Sequence, residues 1–173
     1  MHILVATDGS DRTEAAARFL HALIPPSSVE RITVFTVRQP PGQVLGALGW
    51  DGFVPAEAWD EMEEEADRTA REALERAVVA LSGLAGSIET LARSGIPGEE
   101  IVRASREIGA DLIVIASHGW GELRAIIQGS VSERVLHHAA CPVLVIPPPP
   151  SAAQTPHVTE SGEEAYKIIR PEL

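Results

Sequence analysis

The feature that most constrains this chain is an alternation. Short strand-like runs, mostly apolar or β-branched, are separated by longer stretches whose apolar residues recur every three or four positions. The runs are residues 2–7 (HILVAT), 31–37 (RITVFTV), 88–92 (IETLA), 111–116 (DLIVIA) and 142–146 (PVLVI). A strand with one wet face alternates apolar and polar side chains, whereas a continuous run needs cover on both faces. Between the runs lie helical patterns. Asp11-Arg12-Thr13-Glu14 offers a capping box, Ala15, Phe19 and Leu23 follow at i, i+4 and i+8, and Pro25-Pro26 ends the helix. A long helix is predicted over 55–81, with a stripe of Trp59, Met62, Ala66, Ala70, Ala73, Ala77 and Leu81 that stops at Gly83 and Gly86. Pro97 suits a first helical position, Ile101, Ala104, Ser105 and Ile108 form the next stripe, and Gly109 closes it. Val131, Val135 and Ala139 mark a fourth helix.

Strands joined by helical crossovers make a parallel sheet, and the crossovers are right-handed. The expected fold is therefore α/β: a five-stranded parallel sheet in the order 3-2-1-4-5 with helices on both faces, Rossmann-like. In that order the winding reverses between strands one and four, which opens a crevice at their carboxyl ends. Residues 38–54 lack a period and carry Pro and Gly, so they read as a long loop. Residues 1–147 are expected to form the domain, and 148–173 a polar, proline-dotted tail whose AYKIIR stretch (165–170) is suited to dock on a surface.

A net charge of −11 leaves no basic surface for nucleic acid and repels anionic lipid. No apolar run approaches the 18 residues of a membrane span. The opening MHILVATDGS reads as a first strand rather than a signal peptide, so a cytoplasmic location is expected. Cys141 is the only cysteine, which excludes an internal disulfide, and it reads as a small buried side chain. The acids Glu57, Asp60, Glu61, Glu63, Glu64 and Glu65 read as a solvated face that complements the helix dipole, not as a metal cluster. His137 and His138 are adjacent on a helix and diverge, so they cannot chelate one metal.

Two segments fall at the predicted crevice. Ala6 and Thr7 end the first strand, and Asp8 follows with a carboxylate that can accept bonds from ribose hydroxyls or close an Asx-type turn with Gly9 and Ser10. After strand four come Ala116, Ser117, His118 and Gly119, then Gly129-Ser130 and a helix start. Glycines allow close backbone approach, Ser130 and Ser132 add hydroxyls, and the N–H groups from about Ser130 to Glu133, Val131 and Ser132 included, open a helix toward an anion. The same glycines also fit plain turns, and Ser130 fits an N-cap. His118 can approach a phosphate or stay in solvent. Backbone groups near Val37 can read an adenine edge. Gly95 closes the ribose side only if its loop reaches inward from an edge strand.

VATDGS, SGIPGEEIV and SHG-x9-GSVSERVLHHAACPVLVI together resemble the universal stress protein family over residues 2–146. The resemblance implies the five-stranded fold and a homodimer through the last strand, at Val143, Leu144 and Val145. It also implies an ATP site in which Gly119, Gly129 and Ser130 hold phosphates, Asp8 meets the adenosine part and the Val37 backbone meets adenine. Mg²⁺ would enter only through the phosphates. Where that pattern has its first glycine, this chain has Ala116. If the position needs φ > 0, the methyl costs about 1 kcal/mol or more; if it merely ends a strand, alanine is harmless. The expected function is ATP binding by a dimeric stress-response or regulatory factor, not an enzyme, with at most slow incidental hydrolysis. A nucleotide-free homodimer acting through protein contacts is the alternative. An adenylyl-transfer or pyrophosphatase relative would need an H-x-G-H or S-G-G-x-D-S signature after strand one, and Thr7-Asp8-Gly9-Ser10-Asp11 has neither.

Overall fold

The structure, a computed structural model, describes residues 1–10, 12–50, 52–116 and 131–146. In chain order the elements are β1 (His2–Ala6), α1 (Arg12–Leu23), β2 (Arg31–Arg38), α2 (Pro41–Ala47), α3 (Ala56–Leu81), β3 (Ser87–Ser94), α4 (Pro97–Glu107), β4 (Leu112–Ala116), α5 (Val131–His138) and β5 (Val143–Ile146). The five strands form one sheet in the order β3-β2-β1-β4-β5, and every pairing is parallel. The expected topology is the one found.

Strand alternation splits the core in two. Ile3 and Val5 of β1 and Val114 of β4 pack with Ala16, Ala17 and Leu20 of α1 and Ala77 and Leu81 of α3. Leu4 and Ala6, with Phe35, Ile113 and Ile115, face Ile101, Val102 and Ala104 of α4 and Val135 of α5. Helices thus cover both faces, which is why the central strands carry no polar alternation. The edge strands differ: β3 runs exposed and half-buried, and in β5 Val143, Leu144 and Val145 stay half-buried.

Three expectations need correction. Helix α1 does not bury the Ala15–Phe19–Leu23 row. It buries Thr13, Ala16, Ala17 and Leu20, leaving Phe19 46% and Leu23 56% exposed. Alanines on a face pressed against α3 allow a closer approach than a phenylalanine would, and α1 takes the tight seam. Residues 38–54 are not wholly loop, because Pro41–Ala47 is the helix α2, started by a proline pre-set at φ near −65°. Cys141 is half-buried rather than buried; desolvation first, then the nearby Asp111 charge, raises its thiol pKa and holds it protonated.

Helix α3 is longer than the sheet it packs on. Its 26 residues span about 39 Å, whereas the 8 residues of β2 span about 26 Å. Arg38, the last residue of β2, pairs with Glu63 and Asp67 of α3. Residues 56–62 therefore stand beyond the carboxyl edge of the sheet. Only Ala73, Ala77 and Leu81, alongside the strands, are fully buried.

Candidate functional site

The site is built where β1 and β4 end side by side. Ala6 is in register with Ile115 of β4 and with Phe35 of β2. From β1 the chain crosses to β2 on one side, and from β4 to β5 on the other, so the reversal falls between these two strand ends.

The β1–α1 turn is tied down by its own side chains. The Thr7 N–H donates to the Phe35 carbonyl at 2.9 Å, extending the ladder one residue past β1. The Thr7 hydroxyl lies 2.6 Å from that of Thr13 and accepts the Gly9 N–H at 3.0 Å. Thr36 donates its hydroxyl to the Thr7 carbonyl at 3.0 Å. Asp8 accepts the Ser10 N–H through Oδ1 at 2.9 Å, an Asx-type turn, and its Oδ2 lies 3.9 Å from Arg12. Thr7 and Thr13 meet across the short β1–α1 turn, whereas Thr36 reaches Thr7 only through the β1–β2 register, which no local pattern encodes. Gly9 belongs to the same turn. It has φ +78°, and a Cβ there would stand 2.8 Å from the Ala73 Cβ of α3, so glycine is required by conformation and by helix approach together.

Strand β2 overruns β1. The Phe35 carbonyl faces β1, so the two-residue period of the strand turns the Val37 N–H and C=O the same way, past the last β1 pair. Arg38 faces the other way, and its carbonyl accepts the Gly95 N–H at 3.2 Å. Gly95 therefore sits one strand farther from β1 than Val37 does. Its φ is +148°, and a Cβ would come 3.0 Å from Cγ of Glu100, which is buried and ion-paired to Arg103 at 2.5 Å. The local packing accounts for this glycine.

Ala116 is the last residue of β4, in register with Ile146, and no described non-glycine residue has positive φ. Backbone conformation at 116 does not demand glycine. Val131 and Ser132 open α5, with Val131 exposed and Ser132 half-buried. The remaining candidates, Ser117, His118, Gly119, Gly129 and Ser130, lie outside the described residues. Among the described residues no group of His, Cys, Asp and Glu is arranged to hold a metal, and no helix is long and apolar enough to cross a membrane.

The fold defines a doubly wound α/β protein whose sheet reverses its winding between β1 and β4. The chain belongs to the universal stress protein family, whose profile matches residues 1–147. It is 32% identical over 147 residues to universal stress protein MJ0531 of Methanocaldococcus jannaschii, covering 85% of this chain and 82% of that one. The structure of MJ0577 from the same organism superposes with a TM-score of 0.66 at 26% identity, covering 87% of this chain and 97% of that one. A universal stress protein of Archaeoglobus fulgidus in complex with dAMP superposes at 0.52 with 27% identity, covering 84% and 97%.

Proposed function

We propose that this protein binds an adenine nucleotide, ATP with Mg²⁺ carried on its phosphates, at the β1–β4 crevice, and acts as a homodimeric, cytoplasmic stress-response factor rather than as an enzyme. The domain is 1–147, with 148–173 appended. The observation that carries the reading is the pair of strand ends in register, with the Val37 backbone turned over the end of β1. The A. fulgidus relative, solved with dAMP, supports an adenine nucleotide as the ligand class. Asp8, an acceptor at the end of β1, suits the ribose hydroxyls by position. The phosphate grip is assigned to Gly119, Gly129, Ser130 and the start of α5, with Ser117 and His118 beside them. Ala6 and Thr7 form the floor, and Ala116, with its ordinary strand backbone, is compatible with the cleft. Gly95 is the outermost member of the set.

The dimer would use β5 (Val143, Leu144 and Val145), an edge strand whose outer backbone N–H and C=O groups need a partner. Leu144→Lys should convert a dimer to a monomer in sedimentation velocity; a monomeric wild type removes this part of the reading.

The test of the ligand is direct. Purified protein is denatured, and the supernatant is analysed for nucleotide by chromatography and mass spectrometry. Bound ATP, or micromolar ATP·Mg²⁺ binding by calorimetry that Gly129→Val weakens at least tenfold, is the expected result. A clean protein with no heat on ATP, AMP or dAMP leaves the nucleotide-free homodimer.

A further inference from the structure

We propose that the protein's own C-terminal segment 165–170 (AYKIIR) docks on the surface formed by α2 and the first turns of α3. This goes beyond nucleotide binding and does not depend on it. Among the described residues, five exposed large apolar side chains fall within positions 44–59: Val44, Leu48, Trp50, Phe53 and Trp59. Leu48 is 77% exposed and Phe53 89%. The two elements meet there, since a Cβ on Gly42 of α2 would lie 3.5 Å from the Trp59 ring of α3. An apolar surface of this kind left open to water marks an interaction site.

Charge selects the occupant. The overhanging end of α3 has no Lys or Arg from 56 to 67. Arg38 takes Glu63 and Asp67, and Arg68 takes Glu65. Glu57, Asp60, Glu61 and Glu64 have no ion pair among the described residues. A fitting partner is apolar with cationic side chains. An anionic membrane is repelled. Segment 165–170 presents Tyr166, Ile168 and Ile169 with Lys167 and Arg170 and contains no acid.

Geometry allows the segment to reach. β5 ends at Ile146 on the carboxyl edge of the sheet, the same edge from which β2 leads into α2. Three strand intervals separate β5 from β2, a lateral distance of about 14 Å. Eighteen residues, 147–164, lie between β5 and the segment, and a flexible linker of that length would span roughly 23 Å. Tethering at that length supplies the segment at an effective concentration near the millimolar range, so modest affinity suffices.

Lys167 is the only lysine in the chain, which makes the test specific. A carbodiimide joins its amine to a carboxylate in direct contact. In the full-length protein, the expected amide links join Lys167 to Glu57, Asp60, Glu61 or Glu64. In an equal mixture of ¹⁴N- and ¹⁵N-labelled protein they stay within one chain. Ile168→Asp/Ile169→Asp, and separately Leu48→Ser/Phe53→Ser, should each lower that yield at least tenfold, while links from Lys167 to Glu163 or Glu164 persist as an internal control. Amide exchange over 41–50 should be slower in wild type than in either variant. Mixed-isotope links to α3 mean that a second copy's tail occupies the surface and overturn the proposal. So do links spread over all exposed acids alike, or α3 links and exchange rates that the substitutions leave unchanged.

Discussion

At residue 9 two independent demands coincide. The turn requires φ +78°, and the seam with α3 leaves no space for a methyl, whose nearest neighbour would be the Ala73 Cβ at 2.8 Å. Left-handed backbone costs an alanine about 1–2 kcal/mol and overpacking about 1–3 more. Gly9→Ala should therefore lose roughly 2 to 5 kcal/mol in urea unfolding. Ala73→Gly should recover only the packing part, giving a favourable coupling in the double-mutant cycle; strict additivity would mean that the α1–α3 seam is looser than described. Glu107 makes a different kind of prediction. Its carboxyl pKa is lowered, first by its hydrogen bond with Arg93 and then by the charges of Arg93 and Arg103. A depressed carboxylate stabilises the fold above its unfolded value, about 4.3, and that contribution fades as pH falls through the folded value. Wild type should melt above Glu107→Gln at neutral pH, and the gap should close in acid. A gap that widened below pH 4 would contradict the pairing.

At the scale of elements, Arg38 shows how the overhanging half of α3 is held. Its pKa is raised, chiefly by the hydrogen bond to Asp67. Arg38→Met keeps the aliphatic stem but frees Glu63 and Asp67. The pair is partly exposed, so the expected loss is on the order of 1 kcal/mol. Amide exchange should quicken over 56–67 and stay slow over 73–81; uniform quickening along α3 would refute the division. The α4 stripe and the Ala73, Ala77 and Leu81 end of the α3 stripe were legible because long periodic patterns over-determine which face is buried, whereas Trp59, on the same stripe, lies beyond the sheet and is exposed. The α1 stripe was misread because Ala15, Phe19 and Leu23 satisfy the period as well as Ala16 and Leu20 do. Size cannot decide between the rows until it is known that α3 presses close. Helix α2 escaped notice because its 7 residues include two glycines and no capping side chain. Of the candidate site, the positions of Thr7, Asp8 and Val37 at strand ends follow from the strand order, whereas the tie from Thr36 to the Thr7 carbonyl depends on register, which no local pattern encodes.

For the whole molecule, continuous apolar runs dictated a parallel sheet, and the parallel sheet dictated a crevice at the β1–β4 reversal. A crevice that serves a ligand should report through global stability, because a ligand bound only by the native state adds RT ln(1 + [L]/Kd) to unfolding. At a hundredfold excess over Kd that is about 2.7 kcal/mol. For a domain of this size each kcal/mol moves the midpoint by roughly 2–4 °C. ATP·Mg²⁺ at that concentration should therefore raise Tm by roughly 5–10 °C. Gly129→Val should melt near the apo wild type and show no shift, which separates a blocked cleft from a damaged fold. The Leu144→Lys monomer should keep the shift, since the crevice lies between strands of one chain. If its response vanished with the dimer, the second subunit would have to contribute to the cleft, and the one-chain site drawn from the β1–β4 register would be incomplete.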